Sequence, residues 1–284
     1  MFFLGIKSLI SRFTVYHYVI SFLAILSLVS VFFYGFGFNA LIPVLIATIT
    51  TTLLDFAINY FKYKNFEFPQ SALISGLFIG GLLTQNLQWY VYVVAGAIAI
   101  LSKHIIKFQQ KHIFNPANLG ILIASIIFGA AHTWWISSPL ILVLAFGIFV
   151  VWRLGRFDLT ISFLASYYLI ILIIELSRGS SFNDIYLTII NGGVIYFFSM
   201  FMLIEPKTNP SKNRIYYGIL VAVLLIIFDL YAHANNNYLA TFFIRHDMPL
   251  ALAVGNIFVP LFNKMNLQFK KKQGNIAQQN LAAQ

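Results

Sequence analysis

LIPVLIATITTTLLDFAINYFKYK, residues 41–64, decides the fold class. Residues 41–61 pass with a single charge, Asp55, before Lys62 and Lys64 close the run. A helix rising about 1.5 Å per residue covers the roughly 30 Å hydrocarbon core of a bilayer in about 20 residues. Runs of the same kind, broken by polar or Pro/Gly clusters, predict helices at 15–36, 40–61, 69–84, 88–106, 117–132, 138–153, 160–177, 186–204, 214–231 and 247–264. Of the 284 residues, 60% are hydrophobic and only 9% charged. Soluble domains carry roughly 25% charged residues, so this supply cannot build a water-exposed surface. The expectation is an all-α polytopic membrane protein of about ten transmembrane helices. A single transmembrane domain covers 1–266, and a polar Gln-, Asn- and Ala-rich tail at 267–284 is expected to be disordered.

Orientation follows from the cations. With the N-terminus inside, the inner connections hold sixteen of the 18 Lys and Arg residues, leaving only Arg178 and Arg245 outside. Such an asymmetry is the positive-inside pattern, and a missing or extra helix midway would scramble it. Both termini are therefore expected in the cytoplasm, with the chain in the cell (inner) membrane. The same pattern accounts for the net charge of +10 without nucleic acid, which is not an expected partner. Lys7 and Arg12 precede the first apolar run with no small-residue cleavage site after it, the mark of an uncleaved first helix. Cysteine is absent, which excludes disulfides and thiolate-ligated iron–sulfur clusters.

Ten helices divide as five plus five, and an odd number per half predicts oppositely oriented halves. In inverted-repeat folds, short or Gly/Pro-interrupted helices point to the binding site. The third helix carries Gly76, Gly80 and Gly81, and its counterpart, the eighth, carries Asn191, Gly192 and Gly193. The fifth is entered through Asn115-Pro116 and carries Gly120; the tenth is entered through Met248-Pro249 and carries Gly255. Proline suits a first helical turn, where its missing N–H is not needed.

Few residues could carry chemistry. Asp55 lies within a span, where an ionised carboxylate costs about 2.5–3.5 kcal/mol. It reads either as an ion, proton or flavin-edge site, or as a partner of Lys62 or Lys64. Asp229, followed by His233 and Asn235, has the same two readings nearer the outer interface. Asn115, Pro116 and Asn118 stand at a helix N-terminus, whose free N–H groups suit a flavin or quinone carbonyl. The plainer reading of Asn115 is a helix cap. Glu205, Lys207, Thr208 and Arg214 form a polar connection that serves as a cofactor entrance, a docking face for a reductase, or a solvated loop. His104 and His112 have no metal-ligand spacing, and neither a nucleophile triad nor a phosphate-cradling glycine loop occurs. Trp89, Tyr90, Trp134, Trp135, Trp152 and Tyr186 fit interfacial belts.

Four stretches in register carry a resemblance. They are Ser71-Ala72-Leu73-Ile74-Ser75-Gly76-Leu77; Lys103-His104 with Ile113 to Gly120; Met202 to Pro210 with Arg214 and Gly218; and Pro249 to Ala253 with Asn256, Pro260 and Leu261. Together they resemble the NqrB/RnfD family, whose members are membrane components of the sodium-pumping NADH:quinone oxidoreductase and of the Rnf electron-transport complex. The resemblance implies a membrane subunit of an electron-transfer complex, at most a redox subunit of a larger oxidoreductase. It implies a flavin or quinone, coupling to Na⁺ or H⁺, and other such subunits or a cytoplasmic flavin reductase as partners. It also implies cofactor contacts at Ser71, Gly76, Asn115, Pro116, Asn118, Glu205 and Thr208, with Asp55 and Asp229 as ion or proton sites. Members with covalent FMN carry a Ser-Gly-Ala-Thr-like motif after the fifth helix. Phe128 to Trp135 is shorter and lacks it, so a non-covalent FMN or riboflavin is expected in place of a covalent one. The alternative function is a small-solute transporter or channel on the same inverted-repeat scaffold.

Overall fold

The computed structural model describes residues 13–282 other than 65, 109–110, 191 and 236, with side chains described as far as Lys264. The tail expected to be disordered, 267–284, lies outside the residues whose side chains are described. The first five helices are α1 (Val15–Phe33), α2 (Leu41–Tyr63), α3 (Gln70–Leu82), α4 (Trp89–Ile105) and α5 (Pro116–Phe128). Between α4 and α5, strands β1 (Lys107–Phe108) and β2 (Lys111–His112) pair antiparallel. The rest comprises α6 (Leu140–Leu154), α7 (Phe157–Ser177), α8 (Phe182–Ile190), α9 (Gly193–Phe197), α10 (Arg214–Ala234) and α11 (Tyr238–Ala282). A π-turn, Phe198–Met202, continues α9.

Every expected apolar run is helical, but the lengths differ from ten equal spans. α1, α2, α7, α10 and α11 are long and apolar enough to cross a membrane, and α8 with α9 makes a sixth if taken as one broken span. α3 and α5 have 13 residues each, about 20 Å of helix against a core of about 30 Å. Both are nearly encased by neighbours, which lets short helices sit at membrane depth without facing lipid along their length.

The packing repeats. In the first half α1 packs on α3, α2 on α3 and α4, and α4 on α5. In the second, α6 packs on α9, α7 on the π-turn after α9 and on α10, and α10 on α11. The halves meet through equivalent helices, α1 with α6 and α5 with α11. α3 begins beside the C-terminal end of α2, whereas the segment ending α9 finishes at that same end of the bundle, against the start of α5. Counterpart helices therefore run in opposite directions, as an inverted repeat requires.

Small residues make the equivalent contacts. A Cβ on Gly76 or Gly80 would lie 2.3 Å from the Cα of Thr48 or Val44, so α3 touches the α2 backbone directly. A Cβ on Gly120 would lie 2.4 Å from the Ala95 carbonyl of α4, and one on Gly255 2.7 Å from Val221 of α10. Without a hydrophobic force between helices in lipid, such close approach supplies the dispersion contact that holds them.

Candidate functional site

Asp55 sits on α2 about 12 Å inside that helix's C-terminal end, counting eight residues of rise, and is 1% exposed. Its two oxygens are both taken. Lys103 Nζ donates to Oδ2 at 2.8 Å, and His104 Nε2 lies 2.6 Å from Oδ1. Lys103 also donates to Ser71 Oγ at 2.8 Å, joining the start of α3 to the cluster. The expected pairing with Lys62 or Lys64 is corrected: those lysines leave along α2's exposed end, while the last turn of α4 lies alongside and delivers two adjacent cation-forming side chains. The buried Nδ1 of His104 has no partner among the described residues. The arrangement is a carboxylate held off water between an ammonium and an imidazole.

A second group of polar side chains joins α5 to α11 and to the segment after α9. Asn115 caps α5 by accepting from Asn118 N–H at 3.1 Å and donates to the Met202 carbonyl at 3.3 Å. Asn118 donates to the Pro249 carbonyl of α11 at 2.8 Å. Asn256 satisfies its neighbours when its amide nitrogen faces the Thr208 carbonyl and the Tyr217 hydroxyl and its oxygen accepts from Asn115 N–H, both backbone contacts at 3.2 Å. Outside this seam, His112 Nε2 meets Glu205 Oε1 at 3.0 Å, and Thr208 Oγ1 lies 3.4 Å from the other Glu205 oxygen. The two loops expected to share one end, Lys103 to Lys111 and Lys207 to Arg214, thus lie together at that end. Arg214 Nε pairs with Asp158 at 2.7 Å on the same end.

The seven expected cofactor contacts do not leave a common open surface. Gly76 is pressed against α2, and Pro116 is buried in the first turn of α5. Asn115 has both amide groups engaged, and Asn118 retains only its oxygen. The Asn115 and Asn118 amide donors are engaged in fastening helices to one another. Asp229 is apart from all of them, 47% exposed and paired with His233 one turn on.

The opposite end carries a cavity of about 480 Å³ between the loop after α5 and the start of α11, lined among others by His132, Trp134, Arg245 and Asp247. Trp134 Nε1 donates to His132 Nδ1 at 3.2 Å. Burial, reinforced by the neighbouring His246, lowers the His132 pKa to about 4. Pro249 has no N–H to give the carbonyl of Arg245 four residues earlier, which leaves that carbonyl open beside His132. Among the described residues no group of three His, Asp or Glu side chains could hold a metal ion.

The buried carboxylate and much of the amide seam belong to a stretch that known proteins share. The model of the NQR2, RnfD, RnfE family matches residues 10–139, which contain α1 to α5. Over that stretch the chain resembles the NQR2, RnfD, RnfE family. In Yersinia enterocolitica, the D subunit of the ion-translocating oxidoreductase complex is 30% identical to it over 107 residues. That likeness covers 36% of this chain and 30% of the relative's length. The family segment contains Asp55, Ser71, Lys103, His104, Asn115 and Asn118, so the whole carboxylate cluster and half of the amide seam lie within it. Glu205, Thr208, Tyr217 and Asn256 lie in the second half and join through packing alone. The chain is a multi-pass membrane protein.

Sequence reasoning singles out Asp55 and misses its partners. Lys103-His104 at the end of α4 is the available signal, since two adjacent basic side chains at a helix end can both reach one carboxylate on a neighbouring helix. Asn256 and Asn209 fall within stretches of the family resemblance, but nothing local to either shows what it packs against.

Proposed function

We propose that this chain is a membrane subunit of an Rnf/NQR-like ion-translocating electron-transfer complex, with its basic end in the cytoplasm, and that Asp55 is where it handles the ion. The observation that carries this reading is Asp55 itself, buried and bonded to both Lys103 and His104. A carboxylate at this depth is costly unless compensated. Here the compensation comes from an ammonium on a flexible stem and an imidazole with one unbonded nitrogen, both of which can be replaced. An arriving Na⁺ or proton takes the place of the Lys103 ammonium at Oδ2, and Lys103 keeps Ser71 as its partner while displaced. A flavin or quinone would supply the electron transfer when bound. Electrons are passed at its contacts with partner subunits, with Lys207 and Ser211 to Lys212 of the loop after α9 exposed at the basic end.

The test uses membrane vesicles containing the complex with wild-type chain or Asp55→Asn. Redox-driven Na⁺ or H⁺ uptake is expected to fall at least tenfold in the variant while the chain still inserts. Full uptake in Asp55→Asn would return the cluster to a structural role. Solute flux in liposomes holding this chain alone, independent of any electron donor, would replace the proposal with the transporter reading.

A further inference from the structure

A shallow cleft at the basic end, distinct from the Asp55 cluster, is built from β2, the 207–209 segment and the last described turns of α11. Lys111 and Lys207 line it, together with His112, Asn209 and Asn263. Among the described residues no carboxylate lines it, and the adjacent Glu205 is already bonded to His112 and Thr208. Asn209 is 4% exposed, yet neither its amide nitrogen nor its amide oxygen has a partner among the described residues. Burying an amide with both ends unpaired is unfavourable, so its position in this wall calls for a ligand that both accepts and donates hydrogen bonds. Asn263 has its oxygen fixed by Ser211, which leaves its NH₂ group as a further donor.

We propose that this cleft binds a phosphate ester that also carries a hydroxyl group. The lysines and amide NH₂ groups meet the phosphate oxygens, and the hydroxyl donates to the Asn209 oxygen. At about 80 Å³ the cleft is sized for a compact phosphate group and excludes a fused ring system. Val259 and Pro260 form an apolar wall, and Phe108 at the rim is 49% exposed. An apolar wall beside a cationic pocket at a membrane surface suits a glycerol-phosphate lipid headgroup, whose acyl chains would lie along α11. A soluble phosphate ester has the same recognition chemistry.

The full-length chain in detergent is titrated with short-chain phosphatidylglycerol, short-chain phosphatidylcholine, glycerol 3-phosphate and inorganic phosphate, with bound molecules counted by native mass spectrometry. Phosphatidylglycerol is expected to bind at least tenfold tighter than phosphatidylcholine. Lys207→Gln, on an exposed side chain, should remove most of that preference. Asn209→Asp, nearly identical in shape, should abolish it by placing a carboxylate against the phosphate. Displacement of the lipid by glycerol 3-phosphate at similar concentration supports the site and assigns it to a soluble ester; displacement only by lipid assigns it to the membrane. Equal binding of the two lipids with no binding of glycerol 3-phosphate, or unchanged binding in both variants, overturns the proposal.

Discussion

The two ends of the helix bundle treat buried ionisable groups in opposite ways. At the basic end, ionisable side chains are paired with one another: buried Asp55 with Lys103 and His104, and, at part-exposed positions, Asp158 with Arg214 and Glu205 with His112. At the other end, His132 is held neutral at ordinary pH by burial beside His246. Pairing fixes helix to helix and preserves a charge that an ion can exchange. Neutralisation avoids the desolvation cost but leaves a region whose integrity depends on pH. The difference follows chain geometry, because the basic end gathers the termini of α2, α4, α5, α9 and α10, and each brings a polar residue.

The sharpest way to break this comparison is Asp55→Ala. Removing one member of a buried ion pair leaves its partners uncompensated, at a cost of about 3–5 kcal/mol. Thermal unfolding in detergent should register it as the largest loss of the set. Asp55→Ala combined with Lys103→Met should recover part of that loss, and no recovery would mean Lys103 is not paired in the membrane.

Acid is the next largest lever, and it acts on the opposite end. The His132 pKa falls from an ordinary 6.5 to about 4 on folding, so the unfolded chain binds a proton that the folded chain refuses. Stability is complete above about pH 6.5 and declines as pH drops toward 4, by at most about 3 kcal/mol from this group. His132→Gln should flatten the melting temperature across that interval. An unchanged acid slope in the variant would remove His132 from the account.

Asn118→Ala should cost about 1–3 kcal/mol by leaving the Pro249 carbonyl without its side-chain donor, read from the same melting curves. Arg214→Gln should cost less than about 1 kcal/mol, because that pair is partly exposed and screened. A larger loss at Arg214 than at Asn118 would show that the α7–α10 pair within the second half matters more to stability than the amide seam between the halves.

Much of this is legible along the chain. Apolar run length places helices where they occur, since lipid allows no other way to satisfy backbone groups in a single segment. The clustering of Lys and Arg in alternate connections matches the end of the bundle at which the described ones lie. Gly120 and Gly255, paired by position in the two halves, make equivalent contacts on α4 and α10. The candidate site is legible only in part. Asp55 stands out as a lone carboxylate in an apolar run, but its partners lie 48 and 49 residues away. Asn115 reads as a cap from its neighbours, whereas its bond to Met202 depends on how α9 returns.

The amino-acid order by itself determined that the chain is helical, lies in a membrane and is built from two halves, because hydropathy, glycine placement and cation distribution are properties of segments. Tertiary structure alone decided which side chains share a charge. It gave Asp55 the end of α4 instead of its own helix's lysines, engaged the Asn115 and Asn118 amides in helix-to-helix bonds, and left the Asn209 amide without a partner among the described residues. Those outcomes depend on which helix ends converge, and convergence is set by packing between elements far apart in the chain.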